Sequence, residues 1–414
     1  MRVLAIDAFR GITILVMIFV NTLSGVSGMP PWMGHVAAGV DGMTFPDVVF
    51  PAFLFIVGMS IPFAMAQRQA AGDSGWKLWR HVLARAAGLL VFGVFMVNAE
   101  EGYNEAAMGM TIHVWSLLFY ACAILVWAVY RFENRRLVVG MRLAGVAGLI
   151  ALALVFRGGP GGDEHLTPQW WGILGLIGWA YLYATITWRV TRARALPIML
   201  TVLACVAYYC VFDTNACAVD GSTMADYAAL IRPTCFRDYA YVPADAALWR
   251  LLGAQSGNAV HTAIALCGVL TTLIFFSDGR PRGKPFGKAL VFAGILAALA
   301  FALRPWFTIS KIAATPSWAL YSAAICVLLF AAMYWLVDLK QRRGWVAFFR
   351  PAAANPLLTY IIPFIIFALM EALNLAFPSV LGAGMPGLIW AVVYALIVMA
   401  LASGLNRLHI KLQL

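Results

Sequence analysis

The feature that leaves this chain the fewest choices is the recurrence of apolar runs, each about as long as a helix that crosses a bilayer. A helix rises about 1.5 Å per residue, so about 20 apolar residues span the roughly 30 Å of hydrocarbon. Such runs lie at 3–22, 47–67, 80–98, 111–130, 141–156, 170–188, 195–212, 255–276, 287–303, 317–337, 355–377 and 385–405. Inside a bilayer every backbone N–H and C=O must be paired within the protein, which leaves helices for segments of this length. The expectation is an all-α, polytopic membrane helix bundle of about 11–12 transmembrane helices. Of the 414 residues only 11% are charged, against about a quarter in a soluble domain that must wet its surface. Nothing is left over for a soluble domain, so residues 1–414 read as a single transmembrane domain.

The net charge of +11 invites comparison with nucleic-acid binders, but its placement points elsewhere. With the N-terminus in the cytoplasm, 21 of the 29 Lys and Arg residues fall in inside segments. Only Arg157, Arg232, Arg237, Arg304 and Lys311 fall outside. Cations held back on the cytoplasmic side are what the positive-inside rule predicts for a chain with both termini cytoplasmic. The basic charge records topology, and no nucleic-acid partner is expected. The lipids of a multi-pass inner-membrane protein are the expected surroundings.

Asp7 and Arg10 interrupt the first apolar run, which therefore reads as an uncleaved span rather than a signal peptide. Cys217 and Cys235 share the long outside loop 213–249, where an oxidising compartment permits a disulfide without requiring one. There is no CxxC and no His/Cys cluster, so no metal is expected. The acidic residues gather in the outside loops, among them Glu100, Glu101, Glu105, Asp163, Glu164, Asp213 and Asp220. Such a face suits a neutral or cationic polar ligand such as an amino sugar. It also follows from topology alone, since cations are excluded there.

Chemistry concentrates at residues 19–62. Asn21 ends the first span, His35 and Asp41 follow in a Gly- and Pro-rich loop, and Asp47 opens the second span. An acid at a helix start is favoured by the dipole and the free N–H groups there, which by itself accounts for Asp47. His35 is a titratable imidazole at the membrane surface beside an amide and two carboxylates, the components of acid–base chemistry. Asp7 and Arg10, spaced i, i+3, share one face near the cytoplasmic end of the first span. An ionisable pair inside a span marks either a pathway or a pair of side chains reaching back to the interface. Glu371 is expected deep in the eleventh span, facing the bundle interior or water.

IDAFRG at 6–11, Asn21, His35 and DGMTFPDVVFPAFLFIVGMSI at 41–61 resemble the heparan-α-glucosaminide N-acetyltransferase family and its bacterial relatives. ISKIAATPSW at 309–318, YWLVD at 334–338 and NPLLTY at 355–360 resemble the later blocks of that family, in the same order. The resemblance implies a transmembrane acyltransferase that takes acetyl from cytoplasmic acetyl-CoA and N-acetylates the terminal glucosamine of a glycan on the other side. It implies that His35 and Asn21 are catalytic, and that the protein forms a homodimer. Asp7 and Arg10 are then expected to bind the cofactor, and Lys311 and Ser317 to meet cofactor or glycan. HVAAGV before Asp41 is two residues longer than the family's pattern and lacks its tryptophan. The family's acidic block before the eighth span is not recognisable at 242–258.

For this chemistry neutral His35 acts as general base on the attacking nitrogen, and the Asn21 amide bonds the thioester oxygen as it gains charge. Asp41 or Asp47 holds the other imidazole nitrogen. A two-step route through acetyl-histidine competes with direct transfer. The rival class is a secondary transporter for sugars or small organic acids, for which twelve spans are a common plan. That class predicts two related halves with paired broken helices, and neither is recognisable here.

Overall fold

The computed structural model describes residues 3–37, 39–73, 75–212, 251–277 and 280–414. Each apolar run forms a helix. In chain order these are α1 (Leu4–Leu23), α2 (Pro46–Ala70), α3 (Trp76–Glu100), α4 (Ile112–Trp127), α5 (Arg135–Val155) and α6 (Gly172–Val190). There follow α7 (Ala195–Phe212), α8 (Ser256–Phe275), α9 (Pro285–Leu303), α10 (Pro316–Met333), α11 (Pro356–Ala372) and α12 (Gly384–Arg407). Among the described residues ten helices are long and apolar enough to cross a bilayer. Val346–Ala354 and α11 are together long and apolar enough for an eleventh, with an 83° bend between them at Asn355 of the kind found in a broken span or a re-entrant loop. The helix α4 is apolar but shorter, with 16 residues. The fold is thus the polytopic membrane helix bundle expected from the runs. Its only strands among the described residues are Phe276–Ser277 and Arg280–Pro281, a short antiparallel pair. Cys217 and Cys235, with the whole of the long loop 213–249, lie outside the described residues.

The described residues fall into two compact units. The first draws on Met1–Phe9, Pro30–Arg80 and Trp179–Gly344. Its centre is α8, where 16 of 20 residues are buried. That helix is buried on nearly every side, with its polar residues buried along with the apolar ones. It meets α2 at two glycines. A Cβ on Gly58 would land on the Ala265 carbonyl, and one on Gly268 would land on the Phe55 carbonyl. Small residues at a crossing let two backbones approach, which substitutes for the hydrophobic drive that lipid does not supply. Thr272 then donates its hydroxyl across the crossing to the Met59 carbonyl at 3.0 Å. By contrast α9 keeps Leu290, Val291 and Phe301 exposed, the face of a helix that meets lipid.

After Met333 the chain winds as a π-helical segment over Tyr334–Leu339. This carries Asp338 to the start of α1, where its carboxylate accepts from the Ala5 N–H at 3.1 Å. The first N–H groups of a helix have no partner within it, and a carboxylate there satisfies one of them and favours the dipole.

The second unit draws on Arg10–Met29, His81–Gly178 and Trp345–Leu414. Its core is aromatic. Phe95 stacks on Trp115 and Phe119 with ring centroids 5.3 and 4.8 Å apart, and Trp115 donates its indole N–H to the Leu152 carbonyl at 3.0 Å. Asn355, buried at the bend before α11, donates to the Ile410 carbonyl at 3.0 Å and accepts from the Leu412 N–H at 3.2 Å. Glu371 is exposed in the last turn of α11. This corrects the expectation of a place deep in the span, while exposure agrees with the expectation that it faces the bundle interior or water. The apolar run reads on to 377, but the helix stops at Ala372, and Asn374 has a φ of +54°.

Candidate active site

The loop before α2 is organised by one carboxylate. Asp47 lies in the first turn of α2, and its side chain is only 1% exposed. It accepts from His35 Nδ1 at 2.7 Å, from the Thr44 N–H at 3.0 Å and from the Val36 N–H at 3.3 Å. The Thr44 hydroxyl lies 2.6 Å from the Gly34 carbonyl and 3.1 Å from Asp47 Oδ2. Its single proton serves one of these acceptors at a time. Both ends of the loop 34–44 are thereby tied to a helix start. An acceptor-only carboxylate on Nδ1 fixes the neutral imidazole as the Nδ1–H tautomer, so the lone pair is on Nε2. The His35 side chain is 34% exposed, enough for Nε2 to meet a ligand.

Asp47 is itself held from behind. Pro51 has no N–H to return to the Asp47 carbonyl four residues earlier. Trp318, in the first turn of α10, donates its indole N–H there instead, at 3.0 Å. Trp318 is fully buried and meets the ring of buried His261 edge to face at 6.0 Å.

Lys311 comes from the loop between α9 and α10. Its Nζ is 3.3 Å from both His35 Nδ1 and His35 Nε2. An amine in line with one ring lone pair would stand much farther from the other nitrogen, so Lys311 lies over the ring face. Burial pushes the Lys311 amine below the ordinary lysine range, against the opposing pull of the Asp47 charge.

The Lys311 loop is held by its own hydrogen bonds. Thr315 accepts from the Ser310 N–H at 3.0 Å and from the Trp318 N–H, where it caps α10. Ala314 holds a φ of +50°, uncommon for a residue with a side chain. Asp41 ties this loop to the one before α2. Its carboxylate accepts from Arg304 Nε at 2.9 Å and from the Ile309 N–H at 2.8 Å, and the Gly42 N–H donates to the Ile309 carbonyl at 3.0 Å.

His35, Asp41, Asp47 and Lys311 therefore belong to one region of the first unit. Of the two carboxylates, Asp47 and not Asp41 holds the imidazole. Ser317 is fully buried and donates its hydroxyl to the Phe307 carbonyl. Asp7, buried in α1, belongs to the first unit. Arg10 and Asn21 belong to the second. There Arg10 reaches the Ala353 carbonyl at 3.5 Å. Asn21 is exposed near the end of α1, and its carbonyl accepts from the Ser24 hydroxyl at 2.7 Å. Sequence reading missed Thr44, Arg304, His261 and Trp318. For Trp318 a signal was present: a proline four residues after an acid frees a carbonyl that some other donor must fill.

Fold and site together define a polytopic membrane protein with an aspartate-buttressed histidine at one end of a helix bundle. The chain belongs to the family described as "Domain of unknown function (DUF5009)", whose profile matches residues 2–230. It is related to the heparan-alpha-glucosaminide N-acetyltransferases of Homo sapiens and Mus musculus, with 35% identity to each over 97 residues. That stretch is 23% of this chain and 14% of either relative, so the match spans about a seventh of their length.

Proposed function

We propose that this chain is a membrane-embedded acetyltransferase. It moves acetyl from cytoplasmic acetyl-CoA to the amine of a glucosamine-containing sugar on the periplasmic side of the inner membrane. The observation that carries the reading is the 2.7 Å contact between His35 Nδ1 and buried Asp47. It leaves Nε2 as a proton acceptor beside a cation. The kinship with two N-acetyltransferases supports the reaction class.

The residues fit an acyl thioester and an amine. His35 Nε2 takes the proton from the sugar nitrogen as that nitrogen bonds to the thioester carbonyl carbon. Asp47 stabilises the imidazolium that results and keeps the ring oriented. Lys311, over the ring, offers a positive charge to the carbonyl oxygen as it becomes negative. The C–S bond then breaks, the sulfur leaves with the electron pair, and His35 returns the proton to it. In this reading the transfer is direct, without an acetyl-histidine intermediate.

The test is full-length protein in vesicles loaded with labelled acetyl-CoA, with glucosamine or chitosan fragments outside. Labelled N-acetyl sugar is expected outside. Sugar accumulating inside without label would make the protein a transporter and overturn the reading.

A further inference from the structure

Among the described residues, three of the buried polar atoms of the first unit that lack a hydrogen-bond partner lie on α8 and α10. They are Asn258 Oδ1 and His261 Nδ1 on α8, and Ser322 Oγ on α10. Their residues are 3%, 4% and 0% exposed. Serine in a helix ordinarily donates to the carbonyl one turn back, yet Ser322 does not, while Thr262, Thr271 and Thr359 do so.

The three atoms belong to one seam. The His261–Trp318 ring contact sets the register between α8 and α10. Asn258 lies three residues before His261 and so shares its face, and Ser322 lies four residues after Trp318 and shares that face. The seam starts directly behind Asp47, whose carbonyl receives the Trp318 N–H. Apolar rings bound it, with Phe50 packed edge to face on His261 at 5.3 Å. A buried polar atom left unpaired costs free energy, and more so where no water reaches. A column of three along one seam points to a ligand with matching groups.

The set is specific. Asn258 Oδ1 accepts only, Ser322 Oγ can donate, and His261 Nδ1 does either according to its tautomer. A secondary amide presents one N–H and one C=O on a thin chain. We infer that the α8–α10 seam behind Asp47 binds the amide groups of the donor's pantetheine arm, next to the thioester. This rests on the acetyltransferase reading and assigns the donor, rather than the sugar, to these residues.

The experiment uses the full chain in nanodiscs and acetyl-pantetheine, which has the arm and thioester without the nucleotide. Wild type should bind it. Ser322→Ala, the smallest change, and His261→Phe should weaken that binding about tenfold and raise KM for the donor with KM for the sugar unmoved. His261→Gln, which keeps a polar atom, should recover part of the loss. Thermal melting of each ligand-free variant reports whether it is folded, and apolar replacement should not lower it.

Unchanged acetyl-pantetheine binding in folded Ser322→Ala and His261→Phe would overturn the inference. So would a loss confined to the sugar. Wild type that binds acetyl-pantetheine but acetylates no sugar would overturn the transferase reading and leave the seam standing. Active wild type with unaffected variants would do the reverse.

Discussion

Trp318 donates its indole N–H to the Asp47 carbonyl at 3.0 Å, filling an acceptor that Pro51, lacking an N–H, leaves open within α2. The site therefore depends on a bond between residues 271 positions apart. Trp318→Phe should lower stability by about 1–3 kcal/mol, the cost of a buried acceptor left unpaired. Pro51→Ala supplies the missing N–H and should recover part of that loss in the Trp318→Phe background. Thermal unfolding of the single and double variants in detergent reads the coupling. Strictly additive losses would mean that the two groups do not compete for one carbonyl.

The two carboxylates near His35 should part company on mutation. Asp47→Asn keeps the shape but lets an amide donate to Nδ1, which favours the wrong imidazole tautomer. Transfer should fall by a factor on the order of 10²–10⁴, close to the loss in His35→Ala. Asp41→Asn breaks a partly exposed ion pair with Arg304, worth about 0–1 kcal/mol, and should keep most activity. Acetyl transfer measured in the three variants decides it, and equal losses at Asp41 and Asp47 would refute the assignment.

Lys311 gives the fold a pH dependence of definite sign. Its amine in the folded protein loses a proton at lower pH than in the unfolded chain, because burial disfavours the charge. Between the folded and unfolded values the unfolded chain binds more protons, so stability rises with pH through that alkaline window. The gain is complete above the unfolded value and lost as pH falls through the folded one. Melting temperature followed into the alkaline range should show a rise that Lys311→Met flattens. An identical slope in the variant would remove Lys311 as its source.

The crossing of α2 and α8 tolerates no side chain. Gly58→Ala places a methyl on the Ala265 carbonyl and Gly268→Ala places one on the Phe55 carbonyl. Each should destabilise by about 1–3 kcal/mol, since a packed core gives way only at the expense of backbone shifts. Gly283→Ala, where a Cβ meets nothing within 4 Å, is the control for a glycine effect without a clash. Melting temperatures of the three variants separate crowding from chain stiffness.

How far the sequence could be read follows the same physics. Apolar length sufficed for the helices, because in hydrocarbon a run of that length has one stable conformation. It overshot at 355–377, where the apolar run outlasts α11, and length alone gave no sign of the 83° bend at Asn355. His35 was legible as a titratable group in a polar loop. Its partner was not, since Asp41 and Asp47 are both close to it in sequence and only folding sends one to Nδ1 and the other to Arg304. Lys311 and Ser317 stand six residues apart in one motif, yet one lies over the imidazole and the other is sealed in the core. The difference lies in Thr315, whose cap turns the chain into α10 between them.

Asn355 carries a further consequence. Its side-chain amide takes the Ile410 carbonyl and the Leu412 N–H as partners, so the bend before α11 gains them only once α12 has been synthesised. The elbow is therefore fixed late, by a segment that returns to it across some 55 residues of chain.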